Sequence, residues 1–96
     1  TQADIIYIKE ENPEKVAKEF EDYGMMQGDY EALQRAVEFY KSKGLNQDAL
    51  RCKAWAYWFK EDWLNAGNIF SKLKKYKEAS LSFWRGRCWE KLTQLH

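Results

Sequence analysis

The residues best suited to chemistry in this chain are basic side chains in its last quarter. Glu78 and Glu90 are the only acids among them. Tyr76, Trp84 and Trp89 are interleaved with them. Cations beside aromatic rings can hold phosphates and stack on bases, so the group could bind nucleic acid, bind an acidic protein or simply be solvated. The basic residues are Lys72, Lys74, Lys75, Lys77, Arg85, Arg87 and Lys91.

Catalytic and metal-binding chemistry is not indicated. The single histidine, His96, is the last residue, and no C-x-x-C or ligand cluster accompanies Cys52 and Cys88. No glycine-rich phosphate loop is present. The carboxylates Glu19 and Asp22 are more typical of a solvated helix face than of an acid–base pair. We therefore expect a protein that is not an enzyme and has no cofactor.

Length and composition favour one domain away from the membrane. The chain has 96 residues, 17% of them aromatic, and no apolar run of the length that spans a bilayer. A disulfide between the two cysteines is possible, but buried thiols in an intracellular protein, cytoplasmic or nuclear, are favoured. The chain begins at Thr1 rather than Met, so we expect a segment of a larger protein.

Charge is unevenly distributed along the chain. Residues 1–31 carry nine acids and three lysines, whereas the net charge of the whole chain is only +1. The remainder is therefore strongly basic. An acidic end and a basic end suit head-to-tail stacking, or an acidic partner for the basic half, and a solvated helix surface is the alternative.

Helical spacing of apolar residues defines the elements that would position these side chains. Asp29 is placed to cap a helix, Asn46 to cap another, and Gly44 to end one in the left-handed conformation. Residues 1–12 are expected to form an extended arm or the end of a preceding domain, because residues 4–8 favour a strand. Residues 13–96 are expected to form a helical-repeat domain with helix pairs 13–43 and 47–74, turns at 27–29, 44–46 and 60–62, and a final helix 76–93.

A pattern recurs after 33 residues. Gly28-Asp29-Tyr30 corresponds to Glu61-Asp62-Trp63, and in both copies apolar residues follow at helical spacing. The pattern resembles the tetratricopeptide repeat, a pair of antiparallel helices, most closely over residues 47–79. The residues that carry the resemblance are Leu50, Ala54, Tyr57, Trp63, Ala66 and Phe70.

This resemblance implies an all-α fold in which antiparallel helix pairs and a fifth helix stack as a short right-handed α-solenoid. It also implies a concave groove lined by the first helix of each pair. We therefore expect a non-catalytic scaffold segment that binds a protein or peptide, an acidic one in particular. The candidate contact residues are Lys53, Tyr57, Lys60 and Asn65, with the basic group beyond them.

Two alternatives for the partner stay open. The run from Asn68 to Trp84 looks like helical repeats of some large multidomain proteins, including helicase-like ones, which implies a nucleic-acid-associated accessory domain. The final helix carries two apolar stripes, and a five-helix stack can cover only one. We expect the other to support self-association or to receive a further helix. The first stripe holds Leu81, Trp84, Cys88, Leu92 and Leu95, and the second holds Tyr76, Ala79 and Phe83.

Overall fold

A computed structural model describes residues 13–95, which form an all-helical chain without strands. The expected arm and strand of residues 1–12 lie outside the described residues. Six helices follow one another with only two or three residues between them. They are α1 (Pro13–Gln27), α2 (Tyr30–Ser42), α3 (Asn46–Phe59), α4 (Trp63–Lys72), α5 (Tyr76–Arg85) and α6 (Trp89–Leu95).

The five turns share one hydrogen-bonding pattern. In each turn, a backbone N–H donates to the carbonyl five residues earlier, and the residue before this donor has a positive φ. Leu45 N–H, for example, donates to Tyr40 O at 2.9 Å, directly after Gly44 with φ +73°. This is the Schellman arrangement, which ends a helix by turning the chain back. The left-handed residues are Gly28, Gly44, Glu61, Lys74 and Arg87.

The repeat expected from the sequence is confirmed at its turns. Gly28 and Glu61, 33 residues apart, occupy the same left-handed position. The aspartate that follows each one caps the next helix. Asp29 Oδ1 accepts from the N–H of Glu31 at 3.0 Å, and Asp62 accepts from the N–H of Asn65. The cap expected at Asn46 is wrong, because Leu45 precedes α3 and makes no side-chain cap bond.

The expected continuous helix over 76–93 is wrong. The chain turns at Gly86, Arg87 and Cys88, where Cys88 N–H donates to Phe83 O at 2.7 Å. Gly86 allows the close approach that fixes this turn, because a Cβ there would lie 2.5 Å from Trp63 Cβ. The break also divides the apolar stripe. Leu81 and Trp84 stay exposed, whereas Cys88, Leu92 and Leu95 fold back against the core.

The core consists of two clusters along the row of helices. The first joins α1, α2 and α3, with Ala17, Val37 and Cys52 at its centre. The second joins α3, α4 and α5 around Phe70 and Phe83. As expected for a close helix contact, Ala66 is fully buried in the second cluster. Gly67 allows α5 to approach, because a Cβ there would lie 2.6 Å from Phe83 Cδ1.

Each helix packs mainly against its neighbours in sequence, as in a solenoid. Short turns between packed helices make those neighbours antiparallel, so alternate turns lie at opposite edges of the row. We call one the aspartate edge, because Asp29 and Asp62 cap helices there. It holds the turns at 28–29, 60–62 and 86–88. We call the other the lysine edge; it holds the turns at 43–45 and 73–75.

Candidate functional site

In the described part of the chain, a groove of about 640 Å³ lies between α2 and α3. Val37 and Ala56 form its floor and are almost fully buried. Exposed or half-exposed polar side chains rise from the two helices on either side. We call this feature the α2–α3 groove. It is lined by Glu31, Gln34, Arg35, Val37, Glu38 and Lys41 from α2, and by Lys53, Ala56, Tyr57 and Lys60 from α3.

The groove unites three of the four contact residues expected from the sequence. Lys53, Tyr57 and Lys60 follow one another at helical spacing and form the α3 wall. Tyr57 is half-buried, with its ring packed against the second core cluster. A ring fixed in this way presents a hydroxyl group that can donate or accept a hydrogen bond. The α3 wall therefore offers two ammonium groups separated by a phenol.

The opposite wall carries charges of both signs. Glu31 and Glu38 lie on α2, with Lys41 at the end nearer the lysine edge. No ion pair within 4.0 Å joins these glutamates to Lys53 or Lys60 in the described part of the chain. With Arg35, the lining holds four cations and two anions. The groove is thus polar and cationic overall, with charges that a ligand could meet.

Two cations of the lining are oriented by aromatic rings. Lys60 Nζ lies 5.4 Å from the centre of the Tyr30 ring, and the Arg35 guanidinium lies 5.7 Å from the centre of the Phe20 ring. Both distances fall within the range of a cation–π interaction. The Phe20 ring in turn stacks on Phe39, with centres 5.7 Å apart. The Tyr30 ring therefore favours one position of the Lys60 ammonium group beside the groove.

A partly buried ionic network ties together the helices that support the groove. Glu21 of α1 accepts hydrogen bonds from Tyr40 Oη of α2 at 2.8 Å and from Arg51 Nε of α3 at 2.8 Å. Arg51 Nη2 adds a second bond at 2.9 Å, and Nη1 reaches Asp48 at 2.6 Å. The two parallel hydrogen bonds from the Arg51 guanidinium to the Glu21 carboxylate strengthen the interaction and also fix the relative orientation of the two side chains. The network therefore sets how α1 packs behind α2 and α3.

The environment shifts the pKa values of this network. Burial alone would raise the pKa of Glu21, but hydrogen bonds from Arg51 and Tyr40 outweigh it and lower the value. Burial and the Glu21 carboxylate both raise the pKa of Tyr40 above its ordinary value. Burial, with Glu21 nearby, raises the pKa of the Cys52 thiol to about 12. Cys52 is thus an inert packing residue and not a nucleophile.

Arg85, expected among the contact residues, lies in an aromatic cluster at the aspartate edge. Its guanidinium carbon is 5.3 Å from the centre of the Trp58 ring and 5.2 Å from that of Trp63. Those two rings meet edge to face, 4.9 Å apart. Trp55 continues the cluster onto Phe70. Trp63 is half-buried, and Arg85 covers it by joining α5 to α3 and α4.

The other expected contact residues lie apart from the groove. Asn65 supports the start of α4, where its side-chain amide donates to Asp62 Oδ2 at 2.8 Å. Arg87 occupies the left-handed position of the turn before α6, at the aspartate edge. The four lysines between 72 and 77 lie at the lysine edge. The basic group of the sequence is therefore divided between opposite edges of the molecule.

The sequence analysis missed the α2 wall. Glu31, Gln34, Glu38 and Lys41 recur at spacings of three and four residues, which places them on one helix face. That signal is also produced by any solvated face, because exposed polar residues recur at the same spacing. Only the position of α3 beside α2 shows that this stripe borders a groove.

Two other kinds of feature, a metal site and a membrane-spanning helix, are absent from the described residues. No three His, Cys, Asp or Glu side chains between residues 13 and 95 converge in an arrangement that could hold a metal ion. None of the six helices is long and apolar enough to cross a membrane. No protein-family model, curated protein or solved structure matches the chain. Function is therefore inferred from the geometry of the groove and of the two edges.

Proposed function

We propose that this chain is a non-catalytic scaffold segment that binds a short extended peptide of a partner protein in the α2–α3 groove. One observation carries the proposal: Lys53, Tyr57 and Lys60 form one wall of the groove, and neither lysine is ion-paired with a glutamate of the opposite wall. A peptide adds an extended backbone and alternating side chains to such a groove. Carboxylates at alternate positions would meet the two ammonium groups, so the favoured peptide is acidic.

The groove also restricts the size of the ligand side chains. Its floor is made of Val37 and Ala56, which leave an apolar strip with no polar group to satisfy. A small apolar side chain between two acidic residues fits that strip, while the carboxylates reach the rim. Glu31 and Glu38 on the opposite wall would repel a uniformly acidic peptide, so a basic or amide side chain is expected on that side.

Selection from a library of short random peptides on the full 96-residue chain tests the proposal. The peptides recovered should carry paired carboxylates, and fluorescence anisotropy should show weaker binding to Lys53→Ala and Lys60→Ala. Loss of one charge-assisted hydrogen bond costs about 1.5 kcal/mol, which is roughly a tenfold change in Kd. Tyr57→Ala should weaken binding at least as much.

A matched control separates a specific groove from general attraction between charges. Lys43→Ala removes one exposed lysine outside the groove and should leave peptide affinity within about twofold. Circular dichroism of each variant checks that the helices persist. Selected peptides that bind wild type and Tyr57→Ala equally, or that respond to Lys43→Ala as strongly as to Lys53→Ala, would contradict the proposal.

A further inference from the structure

The lysine edge gathers cations that are distant in sequence. Lys41 and Lys43 end α2 and enter the turn at 43–45, while the second set surrounds the turn at 73–75. Both turns lie at the same edge, because two antiparallel helices separate them. Leu50 and Leu73, each close to one of the turns, pack against the same core cluster, which supports this placement. The second set consists of Lys72, Lys74, Lys75 and Lys77.

These six lysines have exposed side chains without partners. None makes an ion pair or a hydrogen bond through its ammonium group within the described part of the chain. Two arginines of the molecule differ in this respect. Arg51 is bonded to Glu21, and Arg85 lies over two tryptophan rings. The edge therefore concentrates positive charge that the fold itself does not use.

Among the described residues, the acidic side chains near this edge do not outnumber its lysines. Asp48 lies in the first turn of α3, but its carboxylate is already bonded to Arg51. Glu78 lies in the first turn of α5, and Glu14 in the first turn of α1. Even when Glu38, one turn before Lys41 on α2, is counted with these three, the six lysines outnumber the carboxylates of the described residues. The edge attracts anions at ordinary ionic strength.

The placement of Lys75 and Lys77 runs against helix electrostatics. Lys75 is the residue that precedes α5, and Lys77 lies in the first turn of α5, where the helix dipole disfavours positive charge. At the aspartate edge, Asp29 and Asp62 cap α2 and α4. At the lysine edge, α3 and α5 begin with no side-chain cap. Residues that break a local stability rule in this way mark functional surfaces.

An exposed aromatic ring lies among the lysines. Tyr76 follows Lys75 directly, and 53% of its surface is accessible to solvent. The sequence pattern placed Tyr76 on an apolar stripe with Ala79 and Phe83, but only these latter two are buried. A solvent-facing ring between ammonium groups can stack on an unpaired base while the lysines contact the phosphates on either side.

The geometry points to a second binding surface: the lysine edge binds the phosphate backbone of a single-stranded nucleic acid, with Tyr76 stacked on one base. Lysine ammonium groups act as point charges rather than as planar forks, so they contact phosphates without reading bases. Binding is therefore independent of sequence and sensitive to salt. This surface is separate from the α2–α3 groove, although Lys41 borders both.

Fluorescence anisotropy with a labelled oligouridylate of about 20 nucleotides, titrated with the full chain at several salt concentrations, tests the inference. The decisive variant is Lys41→Ala/Lys43→Ala, because these two residues lie far in sequence from the other four. Each lost phosphate contact should reduce the slope of log Kd against log salt by about 0.7, so the double variant should lose about 1.4. Tyr76→Ala should weaken binding about 5- to 100-fold, whereas Tyr76→Phe should retain it.

Arg87→Ala/Lys91→Ala is the matched control, since it removes two cations that lie outside both the lysine edge and the α2–α3 groove. It should keep the wild-type salt slope, and thermal unfolding should show that all variants fold. Equal slopes for wild type and Lys41→Ala/Lys43→Ala would overturn the inference. So would unchanged affinity of Tyr76→Ala, or tighter binding of poly-glutamate or of vesicles rich in phosphatidylserine than of the oligonucleotide.

Discussion

At the residue scale, Glu21 is the side chain that links the three helices around the groove by hydrogen bonds. Its carboxylate receives three hydrogen bonds from two other helices, and only 13% of its side chain is exposed. Removing its charge would leave Arg51 without its main partner. Substitution of one partner in such a network lowers the free energy of unfolding, because the other partner is left with hydrogen-bonding groups that have no partner.

The pKa of Glu21 turns this dependence into a pH effect. Because its pKa is lowered in the folded state, the stabilisation is complete above the ordinary value of 4.5 and is lost as pH falls through the folded value. Glu21→Gln should therefore reduce the free energy of unfolding by about 1.5–3 kcal/mol at pH 7. The difference from wild type should shrink below pH 4.5. Urea unfolding at a series of pH values measures it, with exposed Glu19→Gln as control.

At the scale of the elements, the turns decide where each helix ends. Gly28 and Gly44 reach the left-handed conformation without steric cost, whereas Glu61, Lys74 and Arg87 hold a side chain there. The same Schellman bonds close all five turns. The hydrogen bonding and core contacts of the later turns therefore offset a backbone strain that glycine would remove.

Substitution at these positions should act in opposite directions. Glu61→Gly should raise the free energy of unfolding by about 0.5–1 kcal/mol, because relief of strain exceeds the entropy that glycine adds to the unfolded chain. Gly44→Ala should lower it by about 1 kcal/mol. Nothing lies within 4 Å of a Cβ at Gly44, so this loss reports the backbone alone. Thermal unfolding in which Glu61→Gly is less stable than wild type would refute this explanation of the turns.

The elements also show what can be predicted from sequence. The Gly28-Asp29 and Glu61-Asp62 correspondence was visible because glycine, aspartate and helical spacing are local signals. The break before α6 was not visible in the sequence, because arginine at position 87 does not by itself indicate a left-handed backbone. Glycine is needed at position 86 because a Cβ there would clash with Trp63, which belongs to another helix. The six lysines of the edge were not grouped either. Alternation of helix direction, and not sequence spacing, unites them.

At the scale of the whole molecule, stability should vary along the row of helices. Each helix depends mainly on its neighbours, and among the described helices α6 has the fewest supporting contacts. The last helix, α6, has seven residues, none of them buried, and packs against α5. The first helix, α1, also lies at an end, but it buries Val16 and Ala17 and is held by Glu21.

Hydrogen exchange should reveal this gradient. Amides of α6 should exchange fastest and those of α3 slowest, with α1 between them, because local unfolding of α6 exposes the least buried surface. Mass spectrometry of peptides after brief labelling is sufficient to rank the three helices. Protection in α6 equal to that in α3 would show that the molecule unfolds as one unit rather than from its end.

The whole molecule offers two surfaces, a groove for a peptide and an edge for phosphates, and the groove is the central claim. The most direct measurement is amide chemical-shift mapping of the full chain with a selected acidic peptide. We predict the largest shifts along α2 from Glu31 to Lys41 and along α3 from Lys53 to Lys60, with saturation at one peptide per chain. Shifts concentrated at the lysine edge, or confined to α5 and α6, would contradict the claim that the α2–α3 groove is the peptide site.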